Sequence, residues 1–101
     1  MAADIFITYA RKDGERVLPW VQQLQAAGVS TWMDIGGLDG ALRWGQEIVA
    51  AVEGCQLLLL MVSPASITSD HVLREVSLAV DARKPIFPLL LEPVATDRQE
   101  T

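Results

Sequence analysis

Six consecutive apolar residues, Leu57–Val62 (LLLLMV), constrain this chain more than any other feature. A strand with no polar alternation has to be covered on both faces, which is the signature of a parallel strand buried between helices. Ser63-Pro64 ends that strand, and the polar run 66–70 supplies helix-capping chemistry, with either Ser69 or Asp70 able to accept a hydrogen bond from a free backbone N–H. Beyond it Val72, Val76, Ala79 and Val80 recur at helical spacing as one apolar stripe. Glu75 lies along the edge of that stripe. An ordinary boundary glutamate would be partly solvated, or paired with Arg74 or Arg83. This one stands where a helix meets the carboxyl end of a buried strand, the end outside which ligands collect in open α/β sheets. A partly desolvated carboxylate there is suited to opposing a developing positive charge.

The rest of the chain repeats the strand–helix alternation. Residues 4–9 (DIFITY) are β-rich, and Val17, Trp20, Val21, Leu24 and Ala27 then follow helical periodicity up to Gly28, a helix stop. Pro19 removes one backbone donor, so a late start or a kink is expected in that helix. Residues 29–33 form a second strand and residues 34–41 (DIGGLDGA) a glycine-rich loop. That loop lacks the GxGxxG order that opens a helix in dinucleotide-binding units. Trp44, Ile48, Val49 and Val52 begin and continue a second amphipathic helix, ending at Gly54. The third helix spans 69–83 and the fourth strand 86–91. Pro88 cannot donate to a sheet ladder, so the fourth strand belongs at or near an edge. Such alternation implies a flavodoxin-like open parallel sheet with helices on both faces, within one domain. Its crevice is expected between the first and third strands, where Arg11 and the Ser63–Glu75 segment would meet.

Composition narrows the function. A net charge of -5 argues against a nucleic-acid-binding domain, which carries a basic face. The lone Cys55 cannot form an internal disulfide or a multi-cysteine metal site and reads as a small core residue. His71 is an isolated histidine with no metal ligands near it in sequence. No apolar run approaches the ~20 residues that span a bilayer, and nothing resembles a signal peptide, so a cytoplasmic setting with no membrane partner is expected.

With these residues in view, the chain resembles the Toll/interleukin-1 receptor (TIR) domain family, especially its bacterial members. DIFITYAR (4–11) resembles the family's first-strand motif and LLLLMVSPAS (57–66) its third-strand motif. Residues 37–44, with Gly40 and the aromatic Trp44, resemble the loop between its second strand and second helix. The match runs from Asp4 to about Glu92, with residues 1–92 as the domain and 93–101 as a polar tail, the start of a linker or a truncated remainder. The family's closing helices and last strand find no counterpart after Glu92, which implies a fragment of a longer protein or a domain cut short, fused in its parent to a sensor or oligomerisation domain. Many catalytic members carry Trp four residues before the glutamate; this chain has His71.

The resemblance implies an NAD+ glycohydrolase that cleaves the nicotinamide–ribose bond, giving nicotinamide and ADP-ribose or a cyclic form, with NAD+ as substrate and no cofactor. Glu75 matches the family's catalytic glutamate. Arg11 would hold the pyrophosphate, and Trp44 or Tyr9 would pack against a ring of the ligand, Trp44 being equally suited to the core. Asp34, Gly40, Ser63 and His71 complete the implied binding set. The resemblance further implies homotypic assembly with other TIR domains and an assembly-activated role in bacterial defence signalling. The competing expectation is a non-catalytic adaptor module acting by assembly alone. A phosphoacceptor receiver domain shares the topology but needs an acidic pair after the first strand and an aspartate after the third. Ala10-Arg11 and Ser63 stand there instead. A nucleoside deoxyribosyltransferase-like enzyme also sets a carboxylate on a similar sheet, and substrate screening would expose it.

Overall fold

In the computed structural model the described residues are 3–33 and 44–91, the side chains of Trp44 and Gly45 excepted. Strands β1 (Ile5–Thr8), β2 (Thr31–Met33), β3 (Leu57–Val62) and β4 (Ile86–Leu90) alternate with helices α1 (Gly14–Ala26), α2 (Trp44–Gly54) and α3 (Asp70–Asp81). All pairings are parallel and the order is β2-β1-β3-β4. Chain direction across the sheet therefore reverses between β1 and β3, the position expected for the crevice. β4 takes the edge, with Pro88 opposite Leu60. No helix among the described residues is long and apolar enough to cross a membrane.

The pleat divides the core into two layers. On one face Ile7, Tyr9, Leu59 and Met61 pack with Val17 and Val21 of α1. On the other, Phe6 and Leu58 pack with Ile48 and Val52 of α2, Cys55 and Ala79 of α3. Phe6 stacks on Trp32 of β2 with ring centroids 4.8 Å apart. The expected role of Cys55 holds: it is buried, and its thiol donates to the Val52 carbonyl. Thr8 follows Phe6 by two residues and so faces the α2–α3 layer.

One expectation is narrowed and two are corrected. α1 does not start late: it begins at Gly14, ahead of Pro19, which sits exposed inside it. The missing donor costs one bond to the Glu15 carbonyl, near the helix start where water can replace it. α1 ends at a turn in which Val29 donates to the Leu24 carbonyl and Gly28 to that of Gln25, with Gly28 at φ 89°. That left-handed position favours glycine. In α3 the apolar stripe is shifted from its sequence assignment. Val72, Glu75 and Ala79 are buried, whereas Val80 is 59% exposed. At about 100° per residue, Val80 lies about 105° round the helix from the centre of the buried stripe, and Glu75 falls on the stripe rather than beside it.

Candidate functional site

The carboxyl ends of β1 and β3 deliver their next residues to the same end of the molecule. After β1, Tyr9 and Ala10 lead into a short 3-10 turn, Arg11–Asp13, that runs into α1. After β3, Ser63 leads through a second 3-10 turn, Ser66–Thr68, into α3. Ser69 is the cap of α3, its hydroxyl accepting from the Val72 N–H at 3.4 Å, which decides between Ser69 and Asp70.

Glu75 is fully buried, with 0% exposure. Thr8 Oγ1 donates to its Oε1 at 2.6 Å, joining residues 67 apart in the chain. The length is that of a good O–H···O hydrogen bond. A fixed, desolvated carboxylate at the switch point of a parallel sheet is an arrangement that can oppose a cation forming close to it.

A second buried carboxylate, Asp13, went unremarked in the sequence. It accepts from Ser63 Oγ at 2.5 Å and from Arg16 Nη2 at 2.6 Å. Burial pushes its carboxyl upward, but the hydrogen bonds from Ser63 and Arg16 and the positive charges of Arg16 and Lys12 outweigh that, holding it below its ordinary 3.8. Ser63 is itself committed twice more, its Oγ accepting from the Ser66 N–H and its N–H donating to Ser66 Oγ. The network ties the turn after β1 to the turn after β3. The only clue in the sequence was an aspartate in the short polar run after a strand, with Arg16 three residues on.

The remaining candidates separate. Tyr9 is 6% exposed, its side chain packed in the α1 layer, and its carbonyl accepts from His71. His71 is half-buried in the first turn of α3, one turn ahead of Glu75 on the same helix face. Its Nε2 lies 3.0 Å from the Tyr9 carbonyl oxygen and its Nδ1 3.0 Å from Ser69 Oγ. A carbonyl only accepts, so Nε2 carries the proton and Nδ1 accepts from the Ser69 hydroxyl in the neutral ring. Arg11 is exposed at the start of the turn after β1. Trp44 is the first residue of α2, and its side chain, together with Asp34 and Gly40, lies outside the described residues. The structure thus joins Thr8 to Glu75, the Tyr9 carbonyl to His71, and Asp13 to Ser63 and Arg16.

Known proteins share this fold. Residues 5–100 match the family model for the TIR domain. A probable 2′ cyclic ADP-D-ribose synthase, BdTIR, of Brachypodium distachyon is 25% identical over 96 residues, covering 93% of this chain. The chain spans 43% of that relative's length. The TIR domain of the Toll-related receptor TRR-2 of Hydra magnipapillata superimposes with a TM-score of 0.81 at 23% identity, covering 94% of this chain and 75% of that one. The TIR domains of the activated Roq1 resistosome, which recognises the pathogen effector XopQ, give 0.71 at 17% identity, covering 88% and 57%. With the family model matched along nearly its whole length and the fold in agreement, the chain belongs to the TIR domain family.

Proposed function

We propose that this domain cleaves the nicotinamide–ribose bond of NAD+, with Glu75 as the carboxylate that opposes the cation formed. The observation that carries the reading is the fully buried Glu75 carboxylate, held by Thr8 at the sheet's switch point. The similarity to a probable cyclic ADP-D-ribose synthase supports it, since an ADP-ribosyl unit is what NAD+ leaves when nicotinamide departs. When the C1′–N bond breaks, its electron pair goes to the pyridinium nitrogen, and nicotinamide leaves neutral without a general acid. The ribose becomes oxocarbenium-like, and the carboxylate stabilises C1′ or attacks it, as carboxylates do in glycoside hydrolysis. Water then takes C1′ to give ADP-ribose, or a hydroxyl of the same molecule takes it to give a cyclic product. Arg11, exposed beside the crevice, is the proposed contact for the pyrophosphate.

Glu75 has no contact with solvent in the isolated chain, so substrate meets it only after neighbouring segments move. Association with a second TIR domain is the proposed trigger, and a role in defence signalling is part of the same proposal. The resistosome that contains TIR domains supports this view of assembly. The test is to incubate purified protein with NAD+ over a range of protein concentrations and quantify nicotinamide and ADP-ribosyl products by chromatography. The proposal expects one nicotinamide per NAD+ consumed and a specific activity that rises with concentration. Self-association without nicotinamide release would contradict it and favour a purely adaptor module.

A further inference from the structure

We infer that Thr8 is a positioning residue for Glu75: its hydroxyl aims the carboxylate, and the chain keeps threonine at this strand end for that purpose. The role in turnover rests on the NAD+-cleaving reading; the contact itself does not.

Thr8 is the last residue of β1 and fully buried. β1 is an inner strand, laddered to β2 through residues 5–7 and to β3 through 5–8, with Thr8 itself opposite Leu60. The backbone under Thr8 is therefore held by the β3 ladder and by the doubly paired residues just before it. A β-branched side chain adds stiffness at χ1, so the hydroxyl is delivered in a narrow range of directions. Glu75 is the opposite case, a long side chain that must be held against its own rotational freedom. The 2.6 Å bond from the stiff donor to Oε1 supplies that restraint.

Position argues further. Interior strands of a parallel sheet are normally filled with Val, Ile and Leu, and the residues around Thr8 obey this: Phe6, Ile7, Leu58 and Leu59 are all buried and apolar. Valine has nearly the shape of threonine and would satisfy packing at position 8. What it would not supply is a donor. Ser63 and Ser66, the other buried serine or threonine hydroxyls among the described residues, bond within the turn after β3 and to Asp13. The Thr8 hydroxyl alone of these three goes to Glu75. A carboxylate that has to meet a ribosyl carbon works only within about half an ångström of its productive place. Loss of the restraint should therefore act on turnover and leave ground-state binding alone.

The experiment compares Thr8→Val, which removes the hydroxyl and keeps the shape, with Thr8→Ser, which keeps the hydroxyl and loses a methyl. Nicotinamide release at saturating and limiting NAD+ gives kcat and KM per folded molecule, with folded fraction taken from thermal melts. Thr8→Val is expected to lower kcat about tenfold or more, the size of a lost bond to a charged group, with KM within about twofold. Thr8→Ser is expected to return kcat to within about threefold of the parent. Should Thr8→Val fail to fold, Thr8→Ser against Thr8→Ala makes the same comparison, since these two differ only in the hydroxyl. In parallel, the 13C carboxyl resonance of Glu75, assigned by its disappearance in Glu75→Gln, should move in Thr8→Val and return in Thr8→Ser. A resonance that ignores the Thr8 hydroxyl overturns the contact whether or not the protein turns over NAD+. Unchanged kcat in a hydroxyl-free variant, in a protein that Glu75→Gln inactivates, overturns the positioning role. Full activity in Glu75→Gln sinks the functional reading instead, and the carboxyl resonance then decides the contact by itself.

Discussion

Asp13 and Glu75 are buried to nearly the same extent, yet they are held in different ways. Asp13 has its cation three residues along its own chain, and Arg16 joins with the Ser63 hydroxyl to neutralise and pin it. Its partners lie in the first turn of α1 and just after β3, so the carboxylate works as a clamp between segments. Glu75 sits in the middle of α3, faces the sheet, and receives from β1 a neutral hydroxyl. An ion pair to a residue three positions away ties Asp13 to its own segment. The Thr8 hydroxyl instead links Glu75 across the fold, from α3 to the end of β1. Equal burial therefore does not mean equal surroundings.

Changes at the two acids should break different things. The largest effect is expected from Glu75→Gln, which keeps shape and removes charge: nicotinamide release should fall at least about 100-fold, because one correctly placed charge in a dry site is worth that much or more. Next comes Asp13→Asn, which weakens bonds from Ser63 and Arg16. It should cost about 2 kcal/mol in chemical denaturation, with the slope of the transition unchanged. Arg16 is about half exposed, so most of that loss belongs to the buried Ser63 side of the pair. The same acid sets a pH dependence. Its carboxyl is held below 3.8 in the fold, so its stabilisation is complete above the unfolded value and is lost as pH falls through the folded one. Denaturation midpoints measured downward from about pH 5 should show this loss below about pH 4 in the parent and a weaker one in Asp13→Asn. Arg11→Ala should raise KM for NAD+ about tenfold with kcat nearly constant, as expected for a contact made equally in ground and transition states. The smallest effect is expected from Ser69→Ala, about 1 kcal/mol of stability from the lost cap of α3, with Ser69→Gly milder.

Much of the fold was legible because its signals are local and periodic. Leu57–Val62 could only be a doubly covered strand, and its pairing on both sides follows. Pro88 announced the edge strand by what it cannot donate. Glu75 could be singled out because a helix after a buried strand begins at the carboxyl end of the sheet. The misassignment of Val80 has a plain cause: apolar type was read as inward direction, and helical geometry puts residue 75, not residue 80, against the sheet. Asp13 and Thr8 were hidden for another reason. Their partners are 50 and 67 residues away, and no short-range pattern encodes a hydrogen bond across β1 and β3 or from β1 to α3. The resemblance implies a ligand contact for Tyr9, and the strand's alternation turns its side chain into the α1 layer.

The most direct test takes Glu75→Gln and Asp13→Asn side by side, each measured for nicotinamide release per folded molecule and for Tm. A double dissociation is the predicted result. Glu75→Gln should lose turnover at least about 100-fold while melting at or above the parent temperature, because a buried charge placed for function rarely stabilises the fold. Asp13→Asn should melt lower while its folded fraction turns over NAD+ at close to the parent rate. If Glu75→Gln keeps turnover within about threefold of the parent, or if the two variants lose stability and activity in the same proportion, the division of labour between the two acids is wrong.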